Sequence, residues 1–313
     1  MLGRTAGGLF WMFRYLERAE NTARLLDMGF RIALTRPDNA ADEWSSVLET
    51  AGIRAAYDHK YDSYEQDRVV DFMLRDKDNS SSALAATTAA RTNARMVRTA
   101  LTREAWEAVN ECWMAVRKSI HGRISDRDLP DVLRLIRQQN ALVRGALHGS
   151  MLRNDIYDFS RLGTFIERAD ATARILDVKY YVLLPSTVPI GSSYDNVQWE
   201  NVLLSVAGLR SYRHAKGSRI NAKGVAEFVI LDQRMPRSLA FCYNKIVDNL
   251  GYLERDYGVR LRCHKLAEAT AQSFKNRTIE SIIEDGLHEN VLAFIRANTE
   301  LALQIERDYR FME

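Results

Sequence analysis

One run of eleven residues occurs twice, 150 positions apart and without a gap. Glu17-Arg18-Ala19-Glu20-Asn21-Thr22-Ala23-Arg24-Leu25-Leu26-Asp27 returns as Glu167-Arg168-Ala169-Asp170-Ala171-Thr172-Ala173-Arg174-Ile175-Leu176-Asp177, with eight of eleven positions identical. A duplication that had only to keep a fold could let its polar positions drift while the apolar stripe survived. Here the charges persist as well. Further landmarks keep the same order in both halves: Trp44, Val47, Leu48, Ala51-Gly52 and Tyr57 are echoed by Trp199, Val202, Leu203, Ala207-Gly208 and Tyr212, with a one-residue slip inside the helix. Phe72–Asp76 matches Phe228–Asp232, and Val132–Arg137 matches Val291–Arg296. The chain therefore reads as two tandem copies, 1–150 and 151–313, related by a pseudo-twofold and expected to pack as one integrated domain. A period that long is a duplicated domain and not a solenoid unit.

The composition restricts those copies to helix. Five prolines are separated by long stretches rich in Ala, Leu, Arg and Glu, and alternating Val/Ile/Thr runs between turn dipeptides are nearly absent. The expected class is an all-α helical bundle. Helices are predicted near 4–35, 41–58, 65–75, 81–99, 102–121, 129–149, 154–184, 195–213, 221–232, 235–256, 260–284 and 287–310. Pro37-Asp38-Asn39 ends the first, and Pro185 through Pro189 with the Gly-Ser stretch that follows ends its repeat partner. Ser82 and Ser238 close corresponding loops and suit helix N-caps.

Several function classes drop out. A net charge of +3 spread over both halves argues for neither nucleic acid nor an anionic membrane. Cys112, Cys242 and Cys263 lack metal-ligand spacing and suit a reducing compartment. The apolar patch Leu9–Phe13 runs directly into Arg14, Glu17 and Arg18, and no long apolar run follows, so a soluble cytoplasmic protein is expected. Phosphate loops, dinucleotide fingerprints and nucleophile elbows are missing. The five tryptophans fall at helical spacing among apolar neighbours and read as core, and the cysteines read as core or semi-buried thiols. His264 and His288 read as surface or capping residues.

On a helical wheel Met12, Tyr15, Leu16, Ala19, Ala23, Leu26 and Phe30 form one apolar face. Glu17, Glu20, Asn21 and Arg24 lie opposite. The second copy repeats this with Phe165, Ile166, Ala169, Ala173 and Leu176 against Glu167, Asp170 and Arg174. Each copy thus sets two acids three residues apart beside a guanidinium. Such a face can form a buried polar network, hold a ligand, or serve acid/base chemistry if burial separates the carboxyl pKa values. A merely solvated i,i+4 pair contributes only about 0.2–0.5 kcal/mol. The di-iron comparison fails, because those bundles need Glu-x-x-His and Glu20 and Asp170 stand where the histidines would be. No metal and no cofactor is expected. The site residues are Glu17, Arg18, Glu20, Arg24, Glu167, Arg168, Asp170 and Arg174, with Glu17 and Glu167 the candidates for any acid/base role.

The opening Met1–Ala6 and Phe10–Asp27, the second landmark Phe165–Lys179, and the middle segment Thr92–Arg98 with Glu104–Asn110 together resemble the bacterial alpha-E family, an all-helical domain of unknown function. The resemblance runs over essentially the whole chain. It implies a neighbourhood more than an activity: a circularly permuted ATP-grasp protein, a transglutaminase-like protein and a peptide-modifying or amide-ligating system. ATP-binding residues would belong to that partner. Gly3 and Gly7-Gly8 depart from the larger residues commoner at the family's start. Three readings follow: an accessory module that binds the ligase or its peptide substrate through the duplicated helix faces, an enzyme acting on amide or peptide bonds, and a scaffold whose charged network only fixes register.

Overall fold

The structure, a computed structural model, describes residues 2–35, 40–182 and 193–312. The proline-containing breaks at 37–39 and 185–192 lie outside the described residues. Among those residues the protein has fifteen α-helices and no strand. They are α1 (Gly3–Thr35), α2 (Ala40–Thr50), α3 (Arg54–Asp58), α4 (Gln66–Leu74), α5 (Ala83–Met96), α6 (Arg103–Ser119), α7 (Leu129–Ser150), α8 (Asp155–Val182), α9 (Ser193–Ser205), α10 (Leu209–Lys216), α11 (Ala222–Leu231), α12 (Leu239–Tyr257), α13 (Arg262–Lys275), α14 (Ile279–Glu284) and α15 (Leu287–Asp308). No helix among the described residues is long and apolar enough to cross a membrane.

Three of the expected helices are each broken in two, and two of the breaks have the same cause. Gly52 ends α2 with φ 70° and Ala207 ends α9 with φ 54°. The Ile53 N–H then donates to Leu48 O at 3.0 Å and the Gly208 N–H to Leu203 O at 2.6 Å, which is the hydrogen bonding of a Schellman C-cap. These bonds pair Gly52 with Ala207, not with Gly208, so the slip inferred from the Ala-Gly dipeptides disappears. Alanine in the left-handed region costs about 1–2 kcal/mol, partly offset because glycine is freer when unfolded. Ala207→Gly should therefore raise stability by about 0.5–1 kcal/mol, measured as a higher unfolding midpoint; an unchanged or lower midpoint would contradict the left-handed turn. The third break follows Lys275, and α14 restarts on the Thr278 side chain, which accepts from the Ser281 N–H.

Contacts divide the chain into two compact units, Met1–Glu167 with Tyr309–Glu313, and Arg168–Asp308. The division falls inside α8, beyond the 150/151 boundary of the repeat. In the first unit α1, α5, α6 and α7 pack as a closed cycle of neighbours, and α2 and α4 cover α1 further along, with α3 on α2. The core is built on α1, whose Leu9, Phe10, Met12, Phe13, Leu16, Ala19 and Leu26 are all buried. The α5 face toward the core is Ala83, Ala86, Ala90 and Ala94, each buried, and short side chains let two helices approach closely. Gly8 serves the same end, since a Cβ there would run into Val97.

The C-terminal residues complete this unit. Tyr309 packs edge-on to Phe159 with ring centroids 4.9 Å apart, and Phe311 lies 5.3 Å from Phe10. A Cβ at Gly3 would collide with the Arg310 carbonyl, and one at Gly7 would come within 2.9 Å of the Phe311 Cβ. The glycines at the start of α1 therefore make room for the end of the chain without interrupting the helix.

In the second unit α12 packs on α13 and α13 on α15, with α11 on α12 and α9, α10 and α14 around α11. Ser238 caps α12 by accepting from the Phe241 N–H at 3.0 Å, as Ser82 caps α5 by accepting from Ala85. His264 is buried and not on the surface, and it is a capping residue as expected: its Nδ1 accepts the N–H of Leu261, the N-cap of α13, at 3.1 Å and its Nε2 lies 3.0 Å from Leu250 O. These partners fix the neutral Nε2–H tautomer. The tryptophans divide. Trp44 and Trp199 are buried; Trp11, Trp106 and Trp113 are half-buried beneath the guanidiniums of Arg14, Arg98 and Arg91 at 4.6, 5.4 and 4.2 Å.

Candidate functional site

The polar face of α1 lies inside the first unit. Glu17 is 1% exposed and Glu20 0%, because α7 runs antiparallel to α1 and covers them. Its register can be read from two ion pairs: Arg144 meets Glu20, and Arg137, seven residues earlier, meets Asp27, seven residues later, at 2.9 Å. Two turns back along one helix match two turns forward along the other. Glu20 also accepts from its own-helix Arg24, at 3.1 Å from Nε and 2.7 Å from Nη2. Glu17 Oε2 lies 3.7 Å from Arg144 Nη1.

The N-terminal part of α8 adds a further carboxylate. Glu167 Oε2 accepts from Arg14 Nε at 2.9 Å and from Arg18 Nη2 at 3.1 Å, and its Oε1 accepts from Arg18 Nε at 2.5 Å. Arg14 and Arg18 are themselves held against Trp11 and Tyr15 at 4.6 and 5.6 Å. The network thus joins α1, α7 and α8, and sets six guanidiniums (Arg14, Arg18, Arg24, Arg31, Arg137, Arg144) around four carboxylates (Glu17, Glu20, Asp27, Glu167). A cluster with that balance repels a metal cation.

Burial pushes the Glu167 carboxyl up, but Arg14 and Arg18 outweigh burial and hold it below the ordinary glutamate range. A group whose folded pKa is depressed contributes stability that is fully present above its unfolded pKa, about 4.3, and is lost as pH falls through the folded value. Other carboxylates titrate over the same range, so the informative quantity is a difference. The gap in unfolding free energy between the wild type and Glu167→Gln should be constant above about pH 5 and shrink as pH falls further. A gap independent of pH down to acid unfolding would contradict the ionised pair.

The second occurrence of the run uses the same residue types differently. Asp170 pairs with Arg174 at 2.7 Å, with side-chain exposures of 21% and 37%, so this is a half-exposed i,i+4 pair on one helix. Arg168, at the position Arg18 holds in the first run, is buried and donates to Pro236 O at 3.3 Å. Thr172 Oγ1 donates to Arg237 O at 2.9 Å. Asp177 lies 2.5 Å from His288 Nδ1, which makes that histidine a packing partner. The sequence-predicted residues of the first run, with Glu167, come together in one network; in the other unit Arg168, with Thr172, ties α8 to the loop after α11, and Asp170 and Arg174 pair on α8 itself. Arg137 and Arg144 were missed. Their spacing of seven matches that of Glu20 and Asp27, but only once α7 is known to face α1.

No nucleophile emerges from the cysteines. All three are buried and unbridged, and burial pushes the Cys112 thiol up to about 12 and that of Cys263 upward as well, so neither of these two supplies thiolate near neutrality.

Fold and network define an all-helical protein whose Glu-Arg motif is part of its internal packing. The chain belongs to the Alpha-E family, described as a predicted alpha-helical domain with a conserved ER motif, which matches residues 1–310. Glu-Arg stands at 17–18 and 167–168 in the repeated run, and again at 254–255 and 306–307. No curated protein and no solved structure matches the chain.

Proposed function

We propose that this protein is the non-catalytic, accessory helical component of a peptide- or amide-ligating system built around a circularly permuted ATP-grasp protein, and that it arose as two tandem copies of one helical domain, about 1–150 and 151–313. The observation that carries the non-catalytic part is the state of Glu167. A carboxylate gripped by two guanidiniums and held ionised is a poor general acid and a weak base. Glu20, buried between Arg24 and Arg144, is equally committed. In this reading the repeated motif is a lock between helices, and contact with a partner falls to exposed surface. The ligase as partner rests on the family resemblance.

Duplication is supported by details that the motif alone does not require. Tyr57 meets Phe72 edge-on at 5.2 Å, and Tyr212 meets Phe228 edge-on at 5.5 Å. Their hydroxyls donate to Ser63 O and Arg219 O at 2.7 and 3.3 Å. Six of the seven buried positions of α7, Leu129, Leu133, Ile136, Asn140, Val143 and Leu147, recur in α15 as Leu287, Val291, Phe294, Asn298, Leu301 and Ile305, Val132 being the exception. That alignment pairs Val291 with Leu133, one residue away from the sequence match with Val132.

The test is association. The purified chain should form a stable complex with the ATP-grasp protein encoded beside it and alter its ligation rate, while showing no turnover of its own. A pair that neither associates nor changes ligation would refute the accessory role. A folded Glu167→Gln chain that abolishes a turnover shown by the wild type alone would restore the enzymatic reading.

A further inference from the structure

The positive charge of the second unit is gathered on one stretch. From Leu209 to Arg234 the chain has six basic residues, Arg210, Arg213, Lys216, Arg219, Lys223 and Arg234, against the two acids Glu227 and Asp232. That surplus alone exceeds the net charge of +3 of the entire chain. The stretch in the corresponding place of the first copy, Arg54 to Asp78, has five basic and seven acidic residues, so the surplus is not a requirement of the fold.

Three of the six basic side chains are neutralised locally. Arg213 pairs with Glu200 at 3.0 Å, Lys216 with Glu227 at 2.8 Å and Lys223 with Glu280 at 2.5 Å. Arg210, His214 and Arg234 are exposed and have no acidic partner among the described residues. All three line one cavity of about 430 Å3, whose apolar wall includes the buried Phe228 and Met235. Asp232 lines it too, but its Oδ1 is turned to the loop, accepting the N–H groups of Arg234 and Met235 at 2.8 Å each.

That loop is pinned from below by the repeated motif. Arg168 donates to Pro236 O, Thr172 to Arg237 O, and Ser238 Oγ to Asp232 O. Arg234 therefore projects from a fixed loop facing Arg210 and His214 on α10, an arrangement that lowers the ordering cost of binding an anion.

We propose that this bowl binds an acidic peptide segment, with the guanidiniums of Arg210 and Arg234 each taking a carboxylate and a small apolar side chain between them against the exposed Ala215 and Pro236. Guanidinium forks match carboxylates in bidentate geometry. A nucleic acid strand is disfavoured because the cavity offers a single exposed ring, the His214 imidazole, and no run of aromatic side chains on which successive bases could stack; Phe228 is buried. A bilayer is disfavoured because no exposed large apolar residue lies between 209 and 234. The site stands on its own geometry and does not depend on a ligase partner.

Fluorescence anisotropy of the full chain with a labelled peptide of alternating Glu and Ala tests it. Binding should weaken at least about tenfold in the Arg210→Gln/Arg234→Gln double variant through loss of two charge-assisted contacts. It should persist in Arg103→Gln/Arg123→Gln, a control that removes two exposed arginines of the first unit. Equal binding by the wild type and the first double variant overturns the proposal. So does a single-stranded oligonucleotide, or a vesicle of phosphatidylserine in phosphatidylcholine, that binds as tightly as the peptide and is lost with the same two substitutions.

Discussion

Replacing Glu20 with leucine lowers the stability of the first unit by about 3 kcal/mol, the low end of the ~3–5 kcal/mol that follows removal of one partner from a buried ion pair. The side chain is 0% exposed, so leucine is sterically plausible, and the loss comes from what remains. Arg24 and Arg144 keep their charges without the carboxylate that both contact. The low end is appropriate because those guanidiniums are 18% and 22% exposed and can reach water. Glu17 also stays within 3.7 Å of Arg144. Calorimetric unfolding, or hydrogen exchange of α1 and α7 amides, measures the loss. The double variant Glu20→Leu/Arg144→Leu should recover part of it, because replacing a buried pair by apolar groups is often neutral or better. If the single variant unfolds within about 0.5 kcal/mol of the wild type, the range of ordinary surface substitutions, the network is not a lock and the carboxylate is free for another use.

Why was the network only half legible beforehand? The wheel placed Glu17, Glu20 and Arg24 together correctly, since their grouping depends only on helical period. It could not say what covers them, because that is decided by α7, more than a hundred residues away. The apolar stripe was likewise readable through Ala19, Ala23 and Leu26, whereas Tyr15, on the same stripe, is half-buried beside the Arg18 guanidinium. Helix positions were recovered well because proline is scarce and the apolar period persists; the breaks at Gly52 and Ala207 depend on single left-handed residues, one of them an alanine, which no propensity marks. Identical sequence also did not mean identical use. Arg18 reaches a carboxylate on α8, while Arg168, in the same motif, reaches a backbone carbonyl, because each helix meets different neighbours.

A sharper omission is Gly163, which falls at the position of Phe13 in the repeat. Glycine inside a helix costs about 1 kcal/mol relative to alanine, and α8 continues through it without a bend signal in the sequence, so the loss must be offset by contact. The structure supplies that contact: a Cβ at Gly163 would overlap the Phe10 carbonyl oxygen and lie 2.9 Å from its carbonyl carbon. Here α1 and α8 meet backbone to backbone, one turn before Glu167 reaches Arg14 and Arg18. Gly163→Ala should accordingly gain about 1 kcal/mol of helix propensity and lose about 3 kcal/mol to overpacking against main chain that cannot rotate away, a net loss of about 2 kcal/mol. Because the clash pushes α8 off α1, it should also loosen the Glu167 pairs. The variant would then lose the pH-dependent gap between itself and its own Glu167→Gln derivative, which a substitution acting on helix propensity alone would leave intact. A Gly163→Ala chain as stable as the wild type, with that gap preserved, would show that the two helices can separate here at no cost.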